Sequence, residues 1–322
     1  APQLIEIKGG PHGPSIPTYA TSSYSKTLSF KELEQRANIF NEERNQKQNL
    51  TVNGVDGNTV EFWFKFPNDP LGDQRSKNFA YFDLHNGKIP GAGLGATVEY
   101  ARFTIETKKN NRAGNQFDNN CMFHVTYASG SKGVFAAHLG ALDGTEVSDV
   151  TSKYGIDMSE WNHYAFSVEN HPTGSDHLLL KLYINGALAD TVHTGSQVSE
   201  NKNGPLNAYI GAYRFGPTFA ARGNGMRDEG FGSISGSFDE FRFWTVKRDS
   251  DEIKFNWFKQ IDGGTNTDYG DFKAKFTGSF SPVNLGVYYK FNEGITGDSS
   301  FDRIAIDYSG RVSNGFIKNY LS

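Results

Sequence analysis

The chain has almost no cysteine. Its 322 residues contain a single one, Cys121, so no intramolecular disulfide can form. A chain of this length can bury a core without such a bond. The Met-Phe-His-Val sequence after Cys121 favours a small buried hydrophobic residue over a reactive thiol. Redox chemistry is therefore not expected.

Net charge and long apolar runs are also lacking. The 32 basic and 36 acidic residues are mixed along the chain and leave a formal net charge of −4, which excludes the basic footprint of a nucleic-acid-binding protein. No apolar run approaches the roughly 20 residues of a membrane span, so membrane insertion is not expected. The first residues lack the pattern of a signal peptide. Ala1 could follow removal of an initiator Met, a signal peptide or a longer polypeptide, and the sequence does not choose between these.

Aromatic residues and glycine, in contrast, are abundant. The 26 Phe, 15 Tyr, 4 Trp and 36 Gly favour strands joined by tight turns and predict an all-β fold. Strands of this kind separated by turn signals indicate a sandwich or barrel. The predicted strands are Thr59–Phe66, Asn78–Leu84, Thr97–Thr107, Met122–Tyr127, Gly133–His138, Asn162–Val168, Leu178–Ile184, Ala187–His193, Ala208–Tyr213, Ser233–Phe243 and Gly286–Phe291.

The first 55 residues differ from the rest. Residues 1–26 are rich in Pro and Gly and predict an extended arm with little regular structure. A capping box at Ser29 and Glu32 then predicts a short N-terminal helix that ends near Arg44.

The most distinctive stretch runs from Gly232 to Phe258. Its first half alternates apolar and polar residues, as a strand with one buried face does. The period then changes, because Asp249 or Ser250 can cap a helix and Glu252 falls in its first turn. One face of this helix carries Ile253, Trp257 and Ile261.

A β-hairpin is predicted around Asn185-Gly186. These two residues separate the strands Leu178–Ile184 and Ala187–His193. Asn-Gly supplies the two positive φ values that a type I′ turn requires.

Three phrases occur in fixed order: Ser159–Phe166, Leu182–Gly186, and Gly236–Trp244 followed by Arg248 and Glu252-Ile253. This succession resembles the laminin-G-like branch of the concanavalin A-like lectin/glucanase superfamily, in which W-x-H-x-A, L-Y-I-N-G and G-x-I-D-E-V-R-I-W occur in the same order. The resemblance implies a two-sheet antiparallel jelly-roll sandwich. It also implies that Trp161 and His163 belong to the core, so that Trp161→Ala would cost roughly 3 to 5 kcal/mol.

A fourth phrase, Leu285–Gly294 followed by Asp307–Arg311, is similar to a motif that often opens such a domain, yet here it lies at the end. Either the C-terminal strand closes the same sandwich in a permuted order, or the chain stops early in a further module. The amino-acid sequence of this segment is similar to laminin-G-like segments in large structural proteins of tailed bacteriophages, chiefly marine phages. The predicted division is an arm plus helix over 1–55, a jelly roll over 56–262 and a C-terminal extension over 263–322.

No catalytic residue is predicted. The superfamily includes glucanases that carry Glu-x-Asp-x-x-Glu, and this motif is absent. Asp239 and Glu240 are adjacent in a strand and project to opposite faces, so they are interpreted as structural. The eight His residues form neither a zinc-binding motif nor part of a triad motif.

Calcium is the better cofactor candidate, since lectin-like sandwiches often bind it through loop oxygens. Two loops have suitable side chains, and their candidate ligands are Asp83, Asn86, Asp118, Asn119 and Asn120. Asp and Asn are also ordinary turn formers, which leaves a purely structural role open.

The long loop from Tyr213 to Glu229 is the candidate ligand-binding segment. Its aromatic and arginine side chains can stack on sugars or anchor a protein partner, or can simply fold over the end of the sandwich. The candidate residues are Tyr213, Arg214, Phe215, Arg222 and Arg227.

The leading functional hypothesis is a non-enzymatic structural or adhesion module of a bacteriophage virion. Such a module would hold neighbouring subunits in a larger assembly or bind surface glycan. A secreted or surface carbohydrate-binding protein of a bacterium is the second hypothesis, and a divergent glycoside hydrolase is the third.

Overall fold

The computed structural model describes residues 4–8, 49–68, 78–85, 101–110, 116–129, 134–170, 177–194, 201–202, 206–213, 232–261, 284–292, 302–309 and 314–318. The strands in these segments are β1 Leu4–Lys8, β2 Val52–Asn53, β3 Asn58–Lys65, β4 Asn78–His85, β5 Ala101–Lys108, β6 Cys121–Ser129, β7 Val134–Ala141, β8 Asn162–Asn170, β9 Leu178–Ile184, β10 Ala187–Thr194, β11 Asn201–Lys202, β12 Asn207–Ile210, β13 Ser237–Trp244, β14 Leu285–Tyr289, β15 Ile304–Ala305 and β16 Gly315–Lys318. Two α-helices, α1 Val147–Tyr154 and α2 Ser250–Asn256, accompany them.

The strands form two antiparallel sheets that pack as a sandwich. The eight-stranded sheet has the order β15-β16-β1-β12-β4-β5-β6-β7, and the six-stranded sheet has the order β10-β9-β8-β3-β13-β14. A short pair of strands, β11 and β2, lies beside them. The predicted all-β, two-sheet jelly-roll fold is confirmed.

The core between the sheets is aromatic. In β3, Phe62 and Phe64 are fully buried, as the alternation of this strand predicts. Rings from the two sheets meet across the sandwich, with centroids 5.8 Å apart for Phe62 and Tyr81 and 4.9 Å apart for Phe166 and Phe123. Burial of these rings supplies much of the free energy that holds the sheets together.

Helix α2 follows β13 as predicted. Asp249 is its N-cap and forms a capping box with Glu252. Ile253 is buried and packs on Ala165 and Tyr183, which lie on the outer face of the six-stranded sheet. The helix therefore covers part of that outer face.

Helix α1 was not predicted from the sequence. Its residues Val-Ser-Asp-Val-Thr-Ser-Lys-Tyr have mediocre helix propensity. A capping box between Glu146 and Asp149 begins the helix, and Gly155 ends it with a left-handed φ of 66°.

The Asn185-Gly186 turn joins β9 and β10 as predicted. Asn185 has a φ of 48° and Gly186 a φ of 78°, the two positive values of a type I′ turn.

Two predictions about the N-terminal region meet different outcomes. Leu4–Lys8 is not an irregular arm but strand β1, which pairs with β12 on one side and β16 on the other. The alternation Ile5, Glu6, Ile7 is a strand pattern, but the Pro and Gly that follow it conceal the signal. The remainder of the arm and the helix predicted from Ser29 to Arg44 lie outside the described residues.

The prediction that Trp161 belongs to the core is wrong. This side chain is 42% exposed and precedes β8 by one residue. Since Asn162 pairs with Phe64, continuation of the register places Trp161 beside Lys65 on the outer face of the sheet. The buried tryptophan is Trp244, at 1% exposure.

The C-terminal segment joins the same sandwich. Leu285–Tyr289 forms β14 and pairs with β13, as the first of the two alternatives for this segment requires. Strands β15 and β16 belong to the eight-stranded sheet. The boundaries predicted at residues 55 and 262 stay predictions.

Two further features bear on function. Cys121 is buried, and burial raises the pKa of its thiol to about 12, which fits an inert side chain. Neither helix in the described part of the chain has the length and apolarity to cross a membrane.

Candidate functional site

The outer face of the eight-stranded sheet carries a set of polar side chains. On β5, Phe103 and Ile105 point into the core, so Arg102, Thr104 and Glu106 point outward. Charged and hydroxyl side chains on alternate positions of a strand leave one face of the sheet able to form hydrogen bonds. We call this surface, on β4 to β7, the polar face.

Strand register aligns the polar face into rows. Glu106 pairs with His124, and His124 pairs with His138, so one row crosses β5, β6 and β7. A second row crosses β4, β5 and β6, where Asp83 pairs with Thr104 and Thr104 with Thr126. Directly opposed side chains lie about 5 Å apart, close enough for one ligand to touch several of them.

Asp83 lies at the buried end of the second row. Its Oδ1 accepts a hydrogen bond from Arg102 Nε at 2.9 Å and another from Thr104 Oγ1 at 2.6 Å. Asp83 is fully buried and Arg102 is nearly so. The guanidinium compensates the buried carboxylate and fixes its orientation.

Glu106 has two partners of different chemistry. Its Oε1 lies 3.3 Å from Lys108 Nζ, and its Oε2 accepts a hydrogen bond from the Tyr213 hydroxyl. Burial, together with the nearby Glu106 carboxylate, raises the pKa of Tyr213 well above its usual value. Tyr213 is therefore a neutral hydrogen-bond donor to Glu106.

The two histidines of the first row contact each other. The ring centroids of His124 and His138 are 4.5 Å apart, and Cys121 Sγ lies 3.4 Å from His124 Nε2. Burial, with the nearby positive charge of Lys108 and with His138, lowers the pKa of His124 to about 3. His124 is therefore neutral at physiological pH and offers one donor and one acceptor.

Exposure changes across the polar face. His138 on β7 is exposed, Thr126 on β6 is half-buried and the Lys108 side chain is 32% exposed. Asp83 and Arg102, toward β4, are buried. The part of the polar face that a ligand can contact therefore lies toward β7. The buried charges toward β4 fix the positions of neighbouring side chains through hydrogen bonds.

Of the residues predicted as ligands of calcium or of a partner, the structure brings two to the polar face, namely Asp83 and Tyr213. Asp118, Asn119 and Asn120 form a single 3₁₀ turn before β6. Through Thr104, Asp83 lies in register with Thr126 on β6, which is five residues after Cys121. The distance along β6 between Asp83 and the 3₁₀ turn is therefore about 16 Å. Outside the described residues lie Asn86, Arg214, Phe215, Arg222 and Arg227.

Oδ1 of Asp83 already accepts a hydrogen bond from the Arg102 guanidinium, whose positive charge opposes a cation there, and calcium at Asp83 stays a prediction. No group of three His, Cys, Asp or Glu side chains within the described segments is arranged to hold a metal. Calcium at Asp118–Asn120 stays a prediction.

Seven residues of the polar face were not recognised from the sequence: Arg102, Thr104, Glu106, Lys108, His124, Thr126 and His138. The alternation in Ala101–Lys108 places four polar side chains on one face, but only a strand was predicted from it. The two histidines are distant in sequence from Glu106, and only the register brings them to it.

The Asp239-Glu240 pair lies on the other sheet and has structural contacts. Glu240 sits at a β-bulge with a φ of 52°, and its carboxylate accepts from Arg242 at 3.0 Å and from Gln260 at 2.9 Å. Tyr288 also donates to it. These bonds link β13, β14 and the chain after α2.

His163 is buried beneath α2. Its Nε2 lies 3.3 Å from Oε2 of Glu61, which Arg248 also contacts. Burial lowers the pKa of His163, opposed by its contact with Glu61. For Glu61, burial acts to raise the pKa, but Arg248, His163 and Arg242 together lower it. This cluster stabilises the covered face of the six-stranded sheet and offers no access to a substrate.

Comparisons with known proteins give distant structural likenesses and one family match. No curated protein matches the chain. A candidate carbohydrate-binding protein from Bacteroides ovatus is 13% identical, with 98% of this chain and 86% of that chain covered and a TM-score of 0.32. A mutant of HCR/D is 12% identical, with 66% and 39% covered and a TM-score of 0.36.

Botulinum neurotoxin type C, whose cell entry depends on interaction with two ganglioside molecules, is 12% identical, with 65% and 37% covered and a TM-score of 0.26. The chain thus spans less than half the length of the HCR/D mutant and of the neurotoxin. With TM-scores this low, none of these likenesses carries an argument about function.

The family itself is shown by sequence. The Laminin_G_3 family, described as the concanavalin A-like lectin/glucanases superfamily, matches residues 44–254. This range includes β2 to β13, all of α1, the first five residues of α2 and every polar-face side chain described above. The chain therefore belongs to the Laminin_G_3 family of the concanavalin A-like lectin/glucanases superfamily.

Proposed function

We propose that this chain is a non-enzymatic glycan-binding module and that sugar binds at the polar face of the eight-stranded sheet. The observation that carries the proposal is the pair of polar rows that register aligns across β4 to β7. Sugar hydroxyls require several donors and acceptors held at fixed positions, and such rows provide them. Membership of a superfamily of lectins and glucanases supports the same ligand class.

The residues of the polar face divide into two roles in this proposal. Lys108, Thr126 and His138 are accessible and contact the sugar. Glu106 holds Lys108 in place through the contact at 3.3 Å. A side chain fixed by buried partners loses little entropy on binding, which favours affinity.

The contacts of the two carboxylates support binding without hydrolysis. Glycoside hydrolysis requires one carboxyl group as acid and a second as base or nucleophile. Asp83 is engaged by Arg102 and Thr104, and Glu106 by Lys108 and Tyr213. Both carboxylates are thus committed to partners within the protein, which favours a supporting role over direct contact with a glycosidic oxygen.

A glycan array probed with the labelled full chain tests the proposal. We expect retention of a defined set of glycans, weakened by Lys108→Ala and by His138→Ala. His193→Ala is the matched control, because His193 is exposed on β10 of the other sheet. No reducing sugar should be released from the bound glycans. Retention of no glycan, equal binding by all the variants, or release of sugar would each overturn the proposal.

The narrower role as an adhesion module of a bacteriophage virion stays a prediction. Its support is the sequence of Leu285–Gly294, which is similar to segments of phage structural proteins. The virion role predicts that the chain co-purifies with intact particles in a fixed stoichiometry with their other subunits. Mass spectrometry of density-purified particles checks this, and absence of the chain from them would leave the secreted or surface-bound alternative.

A further inference from the structure

Aromatic side chains gather on the outer face of the six-stranded sheet, on the side of the sandwich away from the polar face. The chain has 4 Trp, and three of them lie here: Trp63 on β3, Trp161 before β8 and Trp257 after α2. Phe255 and Phe258, at the end of α2, complete the group. We call these five residues the aromatic surface.

Three of the rings, those of Trp63, Trp257 and Phe258, contact one another, and Phe255 and Trp161 are exposed near them. Trp63 and Trp257 have centroids 5.3 Å apart, and Trp257 and Phe258 have centroids 5.6 Å apart. Phe255 is 53% exposed, Phe258 58% and Trp161 42%. Large apolar side chains that are exposed together on a protein surface often mark a binding site for a ligand, a membrane or another protein.

Lysines are part of this surface. Lys254 Nζ lies 5.7 Å from the centroid of Phe255, and Lys259 Nζ lies 5.4 Å from the centroid of Phe258. Each ammonium group therefore lies over the negative face of an exposed ring. Lys65, whose side chain is 38% exposed, lies near Trp161 but pairs with Glu160 at 3.4 Å, so the positive charge over the rings is that of Lys254 and Lys259.

We propose that the aromatic surface is a second binding site, separate from the polar face, for an anionic polysaccharide. The C–H groups on one side of a pyranose ring carry slight positive charge and pack well against the face of an aromatic ring. Carboxylate or sulfate groups on the same chain then meet the ammonium groups of Lys254 and Lys259. Rings and lysines along one surface match an extended polymer in which sugar faces and acidic groups alternate.

The position of the lysines disfavours a protein partner. The centres of protein interfaces are enriched in aromatic residues and Arg but depleted in Lys. Here the lysines lie over the rings and not at a distant rim. Contact between two copies of the chain across a twofold axis would also bring Lys254 and Lys259 toward their own equivalents, which is unfavourable.

Binding of polygalacturonate, an anionic polymer of uronic acid, tests this proposal, with neutral dextran as the matched polymer. Titration of the full chain should change the tryptophan fluorescence, because three tryptophans lie on the surface, and dextran should bind at least about tenfold more weakly. The double substitution Phe255→Ser with Phe258→Ser should weaken binding about tenfold. Phe316→Ser, at an exposed phenylalanine of β16 on the other sheet, is the control and should bind as the unmodified chain does.

Charge is tested by Lys254→Gln with Lys259→Gln, which should weaken binding and reduce its dependence on salt. His138→Ala, on the polar face, should leave polygalacturonate binding unchanged, so that failure at one face is distinguished from failure at the other. Equal affinity for dextran, or unchanged binding by the phenylalanine variant, would overturn the proposal. Absence of polygalacturonate binding would overturn the proposal as well. If the chain instead self-associates and the phenylalanine substitutions abolish this, the aromatic surface binds a second copy of the chain and the proposal is wrong.

Discussion

Two tryptophans on the same face of the six-stranded sheet differ in burial, since Trp244 is buried and Trp161 is exposed. Substitution of each one tests which of them contributes to packing. Trp244 is 1% exposed and packs with Ile261 and Leu285, while the Arg248 guanidinium lies 4.5 Å from its ring centroid. We expect Trp244→Ala to lower the free energy of unfolding by about 3 to 5 kcal/mol. Trp161→Ala, the matched control, should cost about 1 kcal/mol or less. Urea denaturation measures both, and equal costs would show that the assignment of the core is wrong.

His124 makes stability depend on pH. Its pKa is about 3 in the folded chain against 6.5 for an ordinary histidine, because the charged form is disfavoured by burial. Between these pH values the unfolded chain binds a proton that the folded chain does not. The free energy of unfolding therefore falls as pH falls from 6.5 toward 3, by up to about 1.4 kcal/mol per pH unit.

The matched pair His124→Gln and His193→Gln checks this in urea denaturation at several pH values. In His124→Gln, the free energy of unfolding should depend less on pH between 3 and 6.5, because the contribution of His124 is gone. In His193→Gln, the dependence on pH should stay as in the unmodified chain. An unchanged slope in His124→Gln would mean that the imidazole is solvated in the folded chain.

Residue identity alone predicts burial poorly at strand ends. Trp161 was assigned to the core because the resemblance to a family motif implies it, but one residue before β8 the register carries the side chain to the outer face. Cys121 was assigned correctly, because its apolar neighbours continue along β6. A burial prediction therefore requires the face of the strand as well as the type of residue.

The β9–β10 hairpin is coupled to the aromatic surface through its turn. A Cβ at Gly186 would overlap the indole of Trp257, and Gly186 already has a φ of 78°. Gly155, after α1, has a φ of 66° but no heavy atom within 4 Å of the same position. The two glycines therefore separate the effect of contact from the effect of backbone conformation.

We expect Gly155→Ala to cost about 1 to 2 kcal/mol for the left-handed conformation alone. Gly186→Ala should cost about 1 to 3 kcal/mol more, since the indole must move from its packed position. It should also change the tryptophan fluorescence, which Gly155→Ala should not. Denaturation curves and emission spectra measure these effects, and equal costs with equal spectra would contradict the contact.

Elements with strong local signals could be predicted from the sequence. Leu178–Ile184 was predicted with its exact bounds, and α2 was predicted from Asp249 and Glu252. In α1 the β-branched and serine residues concealed a helix that only the capping box and Gly155 indicate. Local pattern thus predicts an element where propensity and capping agree, and fails where they disagree.

At the scale of the whole molecule, β1 joins two parts of the eight-stranded sheet. It pairs with β12 through four positions and with β16 through three. Deletion of residues 1–8 should leave β12 as an unpaired edge and release β15 and β16 from the sheet, with a fall in Tm on the order of 5 °C.

Deletion of residues 1–3 alone is the control and should leave Tm unchanged, because β1 begins at Leu4. Calorimetry measures the shifts. Limited proteolysis should also cut near β16 in the longer deletion. A longer deletion as stable as the full chain would mean that β1 contributes little to the sheet.

The candidate site could be predicted only in part, because it depends on the whole sheet. Asp83 and Tyr213 were both selected from the sequence, but for different ligands. Their place on one face follows from the pairing of β12 with β4 and of β4 with β5. Cross-strand register between distant segments is a property of the assembled sandwich, and no local pattern in the sequence contains it.

The pairing of β1 with β16 also determines how the molecule responds to tension. Leu4 lies opposite Lys318, and Glu6 lies opposite Phe316, so the start of β1 and the end of β16 lie side by side at the same end of their ladder. A pulling force applied to the two ends therefore loads the hydrogen bonds of this ladder one after another and not all together. We therefore expect this ladder to separate at a lower force than the strands around the aromatic core, which are loaded later.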